Sequence, residues 1–480
     1  MPELFWDGKS DAVRAAKNIP AHVLEFDSAL SVGRAENLIV QGDNLLVLRA
    51  LLPRYKNRVR CVYIDPPYNT HSAFEHYDDN FEHAEWLNFM YPRLELLREF
   101  LSDDGAIFIS INFRDEYHHL RCICDEIFGR KNFVGTLTWE SLTQPTNSGR
   151  AKFGLQIKTE PILCYRNNAA ENIFELTPAP SKKNYPHTGK FGACRFEIIE
   201  KSDAGIFSRP SMKFKILGQY PREGKRWQIG EETARQLEAA GRVEIVDGIV
   251  KKAIYPEDEA EKIIYKPFWS HLRAEDVGTA QSGKEILNSI MGGAIGFDTV
   301  KPPALIEELI RHLGKNSLVL DAFAGSGTTA HAVINLNVQD GGARKFILIE
   351  EQAYCETITA ERVKRVGGEF NFARLGEKLF AEDGSINPRV RQEDLAAHIW
   401  FTLTGAALPE KISLPLIGIH EGAAIYLLEN ILTEKVFATL PAHHGQKIIY
   451  AKACRLGEAS LRKKKIIFKH LPTNIFRENF

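Results

Sequence analysis

Short apolar runs alternate with amphipathic stretches over residues 37–138 and again over 298–380, a pattern that predicts strand-helix-strand units on a parallel sheet. In the first part, Leu38-Ile39-Val40 reads as a strand, 44–52 as a helix with Leu45, Leu48 and Leu52 on one face, and 61–64 as a second strand. A helix over 86–101 and a strand over 106–111 follow, with Asp103-Asp104-Gly105 turning between them. The second part predicts a helix over 302–313, a strand over 317–320, a helix over 330–336, a strand over 346–349 and a charged helix over 356–366.

Between the two parts, from 139 to 297, the regularity fails. Gly, Pro and Ser recur and the apolar runs are short, which marks an inserted region. Lys182, Lys183, Arg209, Lys213, Lys215, Arg222, Lys225 and Arg226 are interleaved there with Tyr185, Phe214, Tyr220 and Trp227. Basic residues beside aromatics suit phosphate contact with base stacking, although a charge cluster is as often a solvated face. Residues 1–36 form an N-terminal extension. Residues 381–480 form a small α/β segment with a helix near 394–401 and strands near Ile417 and over 424–428, 448–450 and 466–468. That segment carries no catalytic motif.

Composition narrows the class without choosing a function. At 44% hydrophobic and 26% charged in 480 residues, the chain is an ordinary folded one with room for two or three domains. Lys and Arg (61) nearly cancel Asp and Glu (62), so any nucleic-acid surface has to be a local patch. None of the seven cysteines stands in a Cys-x-x-Cys pair, which gives no sign of a zinc knuckle or a disulfide framework and favours a reducing compartment. No secretion signal and no apolar stretch of about 18 residues is visible, so the expected location is cytoplasmic, away from membranes.

The candidate chemistry sits where strands end. Asp65-Pro66-Pro67-Tyr68 closes the 61–64 strand and supplies a carboxylate, a rigid turn and an aromatic plate in four residues. Proline fixes the backbone of the turn, so Asp65 and the Pro66 carbonyl can accept both N–H bonds of an exocyclic amine while Tyr68 stacks on a planar base. Taken alone, the tetrapeptide also serves as a plain strand end with a buried tyrosine.

A second strand end, Asp321-Ala322-Phe323-Ala324-Gly325-Ser326-Gly327-Thr328-Thr329, turns into a helix whose first N–H groups are free to meet a ligand. A dinucleotide fingerprint needs a third glycine where this chain has Ala330, and a phosphate-cradling loop needs a lysine that is missing. Glu350-Glu351 closes the next strand about 20 residues on, where a carboxylate can hold ribose hydroxyls. A nucleoside without pyrophosphate remains. S-adenosylmethionine fits, with Asp321 for its ammonium and Lys301 for its carboxylate.

Together these residues resemble the amino-methylating DNA methyltransferases, whose signatures Asp-Pro-Pro-Tyr and Phe-x-Gly-x-Gly stand here at Asp65 to Tyr68 and at Phe323-Ala324-Gly325-Ser326-Gly327. The order, target motif first and cofactor motif last with an insert between, is similar to the β-group of adenine-specific enzymes. Asn69-Thr70 and Gly42-Asp43-Asn44 are similar to the modification subunits of type III restriction systems and their solitary relatives.

The resemblance spans about 38–374. It implies an α/β, Rossmann-like, doubly wound methyltransferase sheet split over 37–138 and 298–380, with 139–297 as the target-recognition region. It implies that Asp65, Pro66 and Tyr68 hold a flipped adenine. Asp43, Lys301, Asp321, Phe323, Gly325, Gly327, Thr328 and Glu350 would hold S-adenosylmethionine, with Asp43 near its adenine. Double-stranded DNA is the expected partner, no metal is expected, and a homodimer or a restriction subunit acting in trans fits the family. Three alternatives stay open: methylation at N4 of cytosine, a silent DNA-binding specificity subunit, and a nicotinamide-dependent dehydrogenase, the last disfavoured by the glycine spacing.

Overall fold

The computed structural model describes residues 3–33, 36–69, 82–145, 153–178, 184–204, 209–259, 265–297 and 299–472, so Thr70, Lys182 and Lys183 lie outside the described residues. Two compact units result: Met1–Glu175 with Phe268–Phe480, and Leu176–Pro267.

The larger unit is built on a 10-stranded sheet. Its strands are β1 (His22–Val32), β2 (Leu38–Gln41), β3 (Val59–Ile64), β4 (Leu101–Ser110), β5 (Phe133–Glu140), β6 (Thr159–Arg166), β7 (His271–Leu272), β8 (Leu318–Asp321), β9 (Lys345–Glu350) and β10 (Phe370–Lys378). They lie in the order β1-β10-β2-β9-β8-β3-β4-β6-β5-β7. The six from β10 to β4 run parallel, while β1 and β6 run antiparallel to their neighbours β10 and β4.

Alternation along β3 puts Val62 and Ile64 into the apolar core on one side of the sheet and Cys61 and Tyr63 into the core on the other. That is why the run is apolar without a break: both faces are covered. Val62 and Ile64, withdrawn from water, contribute about 1.5–3 kcal/mol each. β3 pairs with β8, Tyr63 opposite Asp321. From β3 the chain moves to β4 on one side; from β8 it moves to β9 on the other. Open α/β sheets bind ligands at the carboxyl ends of strands that diverge in this way.

Helices α1 (Asn44–Tyr55), α2 (His83–Phe100), α3 (Pro303–Arg311) and α4 (Thr328–Asp340) follow the predicted periodicities; α1 and α4 run longer than expected, α2 starts three residues earlier, and α3 is shorter than the expected 302–313. Asp43 caps α1, accepting the Leu46 N–H at 3.0 Å. The expected turn at 103–105 is a bulge. Val59 pairs with Leu101 and Cys61 with Ala106, so the residues between are looped out of β4 itself. The expected helix at 356–366 opens with a π-turn, Cys355–Thr359, before Ala360–Arg365.

The irregular stretch expected over 139–297 divides. Strand β6 and the two-residue β7 join the main sheet, and Leu176–Pro267 folds apart. This smaller unit carries a four-stranded antiparallel sheet, including Gly192–Ile198, Val243–Val246 and Ile249–Ile254, beside the helix Glu231–Ala239. Phe214 and Trp227, expected to be free for stacking, are buried in its core with Ile216 and Val250, and the Trp227 indole donates to the Phe214 carbonyl at 2.7 Å. Arg222 pairs with Glu200 and Lys213 with Asp203. Lys215 and Tyr220 stay exposed, the ammonium 5.5 Å from the ring centroid.

Residues 381–472 pack within the larger unit. The helix Gln392–Thr404 is tied to α1 by an Arg54–Asp394 ion pair of 2.8 Å, and the strands Leu416–His420, Ala423–Leu427, Gln446–Ala451 and Ile466–His470 form a sheet in chain order. No helix among the described residues is long and apolar enough to cross a membrane.

Candidate active site

Past the end of β3, Asp65-Pro66-Pro67-Tyr68 is held from several sides. The Trp86 indole of α2 donates to the Pro67 carbonyl at 2.8 Å, and Asn69 takes a left-handed backbone, φ 59°. The Asn69 amide donates to Glu116 at 2.7 Å. Glu116 is fully buried and also meets His83 Nδ1 at 2.6 Å and His119 Nδ1 at 2.8 Å. These three side chains lie as close together as metal ligands, and Glu116 joins both imidazoles to Asn69 behind the turn.

At the end of β8, Asp321 is 2% exposed. Its carboxylate accepts the Phe323 N–H at 3.0 Å and the Thr329 hydroxyl, yet burial outweighs both bonds and pushes its pKa up to about 7. Gly325 and Gly327 take φ 51° and 80°, conformations that L side chains rarely adopt. A Cβ at Gly325 would meet nothing within 4 Å: the backbone there faces open space. Glu350 holds this loop to β9, accepting the N–H of Gly325 at 2.8 Å and of Gln352 at 3.0 Å, and burial raises its pKa. Beneath the loop the buried Arg362 donates to the hydroxyls of Ser326 and Thr328, both at 2.8 Å. Burial lowers that guanidinium to about 9.

A cavity of about 410 Å³ lies between the two strand ends. Asp65, Pro66 and Tyr68 line one side; Asp321, Phe323, Gly325, Thr328 and Glu350 line the other. Two expected cofactor residues are absent from the lining. The Asp43 carboxylate is used by the Leu46 N–H and by Arg93, at 3.0 and 2.9 Å, and Gly327 turns toward Thr359, whose carbonyl a Cβ would meet at 3.2 Å.

Lys301 lines the cavity on the side of Asp65. Its Nζ lies 2.7 and 2.9 Å from the two Asp65 oxygens, a placement that differs from the expected one against the cofactor's carboxylate. Burial works against the lysine charge, but Asp65 and then Glu160 raise its pKa above the ordinary value. The sequence does not single out Glu160. It comes from β6, accepts the Tyr68 hydroxyl at 3.0 Å and stands 3.8 Å from Lys301. Its only sequence signal is its place just ahead of the apolar run Ile162 to Tyr165. Tyr68 stays protonated, its pKa raised well above 10 by burial and then by the Asp65 charge.

A parallel sheet with a glycine loop at β8 and a carboxylate-proline-tyrosine turn at the adjacent β3 defines a Rossmann-like methyltransferase fold of the amino-methylating kind. The chain belongs to the DNA methylase family N6_N4_Mtase, which it matches over residues 59–361.

Among known proteins it is 33% identical over 361 residues to the type III restriction-modification enzyme StyLTI Mod subunit of Salmonella typhimurium, covering 68% of this chain and 54% of that protein. It is 30% identical over 423 residues to the EcoPI Mod subunit of Escherichia phage P1, covering 72% and 63%. To the type II methyltransferase M.KpnI of Klebsiella pneumoniae it is 32% identical over 343 residues, covering 64% and 79%. The chain thus spans little more than half the length of the first of these relatives.

Proposed function

We propose that this chain is a site-specific DNA methyltransferase that places a methyl group from S-adenosylmethionine on N6 of an adenine in double-stranded DNA. The observation that carries the reading is the meeting of the Asp65 turn and the Gly325 loop across one cavity. S-adenosylmethionine, when bound, supplies an electrophilic methyl on a sulfonium. The residues present fit it. Asp321 answers the ammonium, Glu350 and Glu351 stand at the ribose side, and Gly325 leaves room for the nucleoside. With Lys301 engaged elsewhere, the Ser326 hydroxyl backed by Arg362 is the group placed for the tail carboxylate.

The chemistry falls to the target side. An adenine amine is a weak nucleophile because its lone pair is shared with the ring. Asp65 accepts one of its N–H bonds and the Pro66 carbonyl the other, which directs the lone pair at the methyl; alignment supplies much of the acceleration. Once the nitrogen turns cationic, Asp65 is placed to take its proton and pass it to water. The base has to leave the duplex, at a cost of a few kcal/mol that stacking on Tyr68 offsets.

The exposed Lys215–Tyr220 pair supports the unit Leu176–Pro267 as a DNA-contacting, target-recognition part. The Mod names of the relatives support a restriction subunit in trans and a cytoplasmic setting.

The test is single-molecule sequencing of DNA from cells that express the chain, with mass spectrometry of the digested bases. The expected product is N6-methyladenine in one sequence motif, lost entirely in Asp65→Ala. N4-methylcytosine as the sole product refutes adenine, and modification that survives Asp65→Ala refutes the catalytic role.

A further inference from the structure

Three charged side chains share one patch of the target pocket. Asp65 and Glu160 are negative, and Lys301 lies between them, 11% exposed at its side chain and flanked by the rings of Tyr68 and Trp139 at 5.1 and 5.7 Å. In this arrangement the ammonium donates to both oxygens of Asp65. One of those oxygens has to accept an N–H of the target amine, so the lysine head sits where that N–H belongs. A cation fixed there also opposes the positive charge that grows on the nitrogen during transfer. Glu160 offers a second seat: its Oε2 is 3.8 Å from Nζ, about one ångström beyond a hydrogen bond.

Resting on the methyltransferase reading, we propose that Lys301 is a two-position gate, seated on Asp65 while the pocket awaits a base and on Glu160 once the amine has taken Asp65. Glu160 is then a positioning residue with two tasks. It draws the lysine charge off the reacting carboxylate, and it holds the Tyr68 hydroxyl so that the ring stays in the plane the base will use. With the lysine moved, the pocket holds a neutral Lys301–Glu160 pair and a free Asp65 charge, which is the state that favours a nitrogen becoming cationic.

The gate makes a prediction that simple side-chain loss does not. Glu160→Gln keeps an oxygen for the Tyr68 hydroxyl but removes the second charge, so the lysine stays on Asp65. Methyl incorporation into plasmid DNA, followed with tritiated S-adenosylmethionine, should show kcat down by about tenfold or more. Cofactor affinity by calorimetry should hold within about threefold, which also reports that the variant is folded. Adding Lys301→Met should then recover most of the lost kcat, leaving the double variant faster than Glu160→Gln alone.

An unchanged kcat in Glu160→Gln, or a double variant that falls to the product of the two single losses, overturns the gate. Loss of S-adenosylmethionine binding in Lys301→Met also overturns it, by returning the lysine to the cofactor. If the unmodified chain binds cofactor yet transfers no methyl, the failure lies with the functional reading and not with the gate.

Discussion

Asp321 stands close to its titration point at neutral pH, and that is measurable. Its pKa rises from 3.8 to about 7 because burial disfavours the charge. The folded chain therefore keeps this proton where the unfolded chain has lost it, so ionisation drains stability as pH climbs from about 4 to about 7 and costs no more above that. An ammonium beside Asp321 favours the ionised form, so cofactor affinity is expected to rise over the same span, by up to about tenfold per pH unit below 7. Calorimetric titrations between about pH 5.5 and 7.5 check this, with Asp321→Asn expected to bind weakly and without the pH slope. A flat profile in the unmodified chain removes Asp321 from the ammonium.

At this scale the sequence was readable where chemistry is written into short spacing. Both motifs declare their donors and acceptors within a few consecutive residues. Lys301 and Glu160 declare nothing, since their partners stand 236 residues away at Asp65 and 92 residues away at Tyr68. A lysine ahead of a helix reads the same whether it faces a cofactor or a carboxylate.

The elements carry the turn that the motif only names. Glu116, ahead of the helix Tyr117–Cys124, binds Asn69 and two imidazoles, and so joins the end of β3 to the start of α2. Glu116→Ala leaves those donors without their acceptor. It is expected to cost about 1–3 kcal/mol in a denaturant melt and to lower methyl transfer more than cofactor affinity, because the Asp65 turn loosens while the Gly325 loop is untouched. Equal losses in both would show that the hub supports the whole fold and not the turn.

Strands with both faces covered were legible as unbroken apolar runs at 61–64 and 346–349. β6 was not, because a Gly- and Ser-rich neighbourhood hid a strand that pairs with β4 from outside the regular pattern. The bulge in β4 reads as a turn for a related reason: Asp103-Asp104-Gly105 has the composition of a loop, and pairing alone keeps it within a strand.

On the scale of the molecule, strands made before and after the unit Leu176–Pro267 are interleaved. β2 lies between β9 and β10, and β3 lies beside β8. Neither set can finish a sheet alone. Fragments covering 1–175 and 268–480, each expressed separately, are expected to show no cofactor binding by calorimetry, and their co-expression to restore it; binding by the later fragment alone would contradict the interleaving. The alternation that reveals an α/β class cannot reveal this order, because β2 and β3 look the same in sequence whether their neighbours come next or some 300 residues later.

The interleaving also sets a clock on synthesis. When the ribosome has made Asp65 and everything as far as the smaller unit, β2 still lacks both of its neighbours, and the place beside β3 that β8 will fill is vacant. A message cut short there yields a chain with the whole target motif, β3 paired on its β4 side only, and the β8 and β9 side of the sheet unmade. The sheet is thus complete only when translation has passed β10.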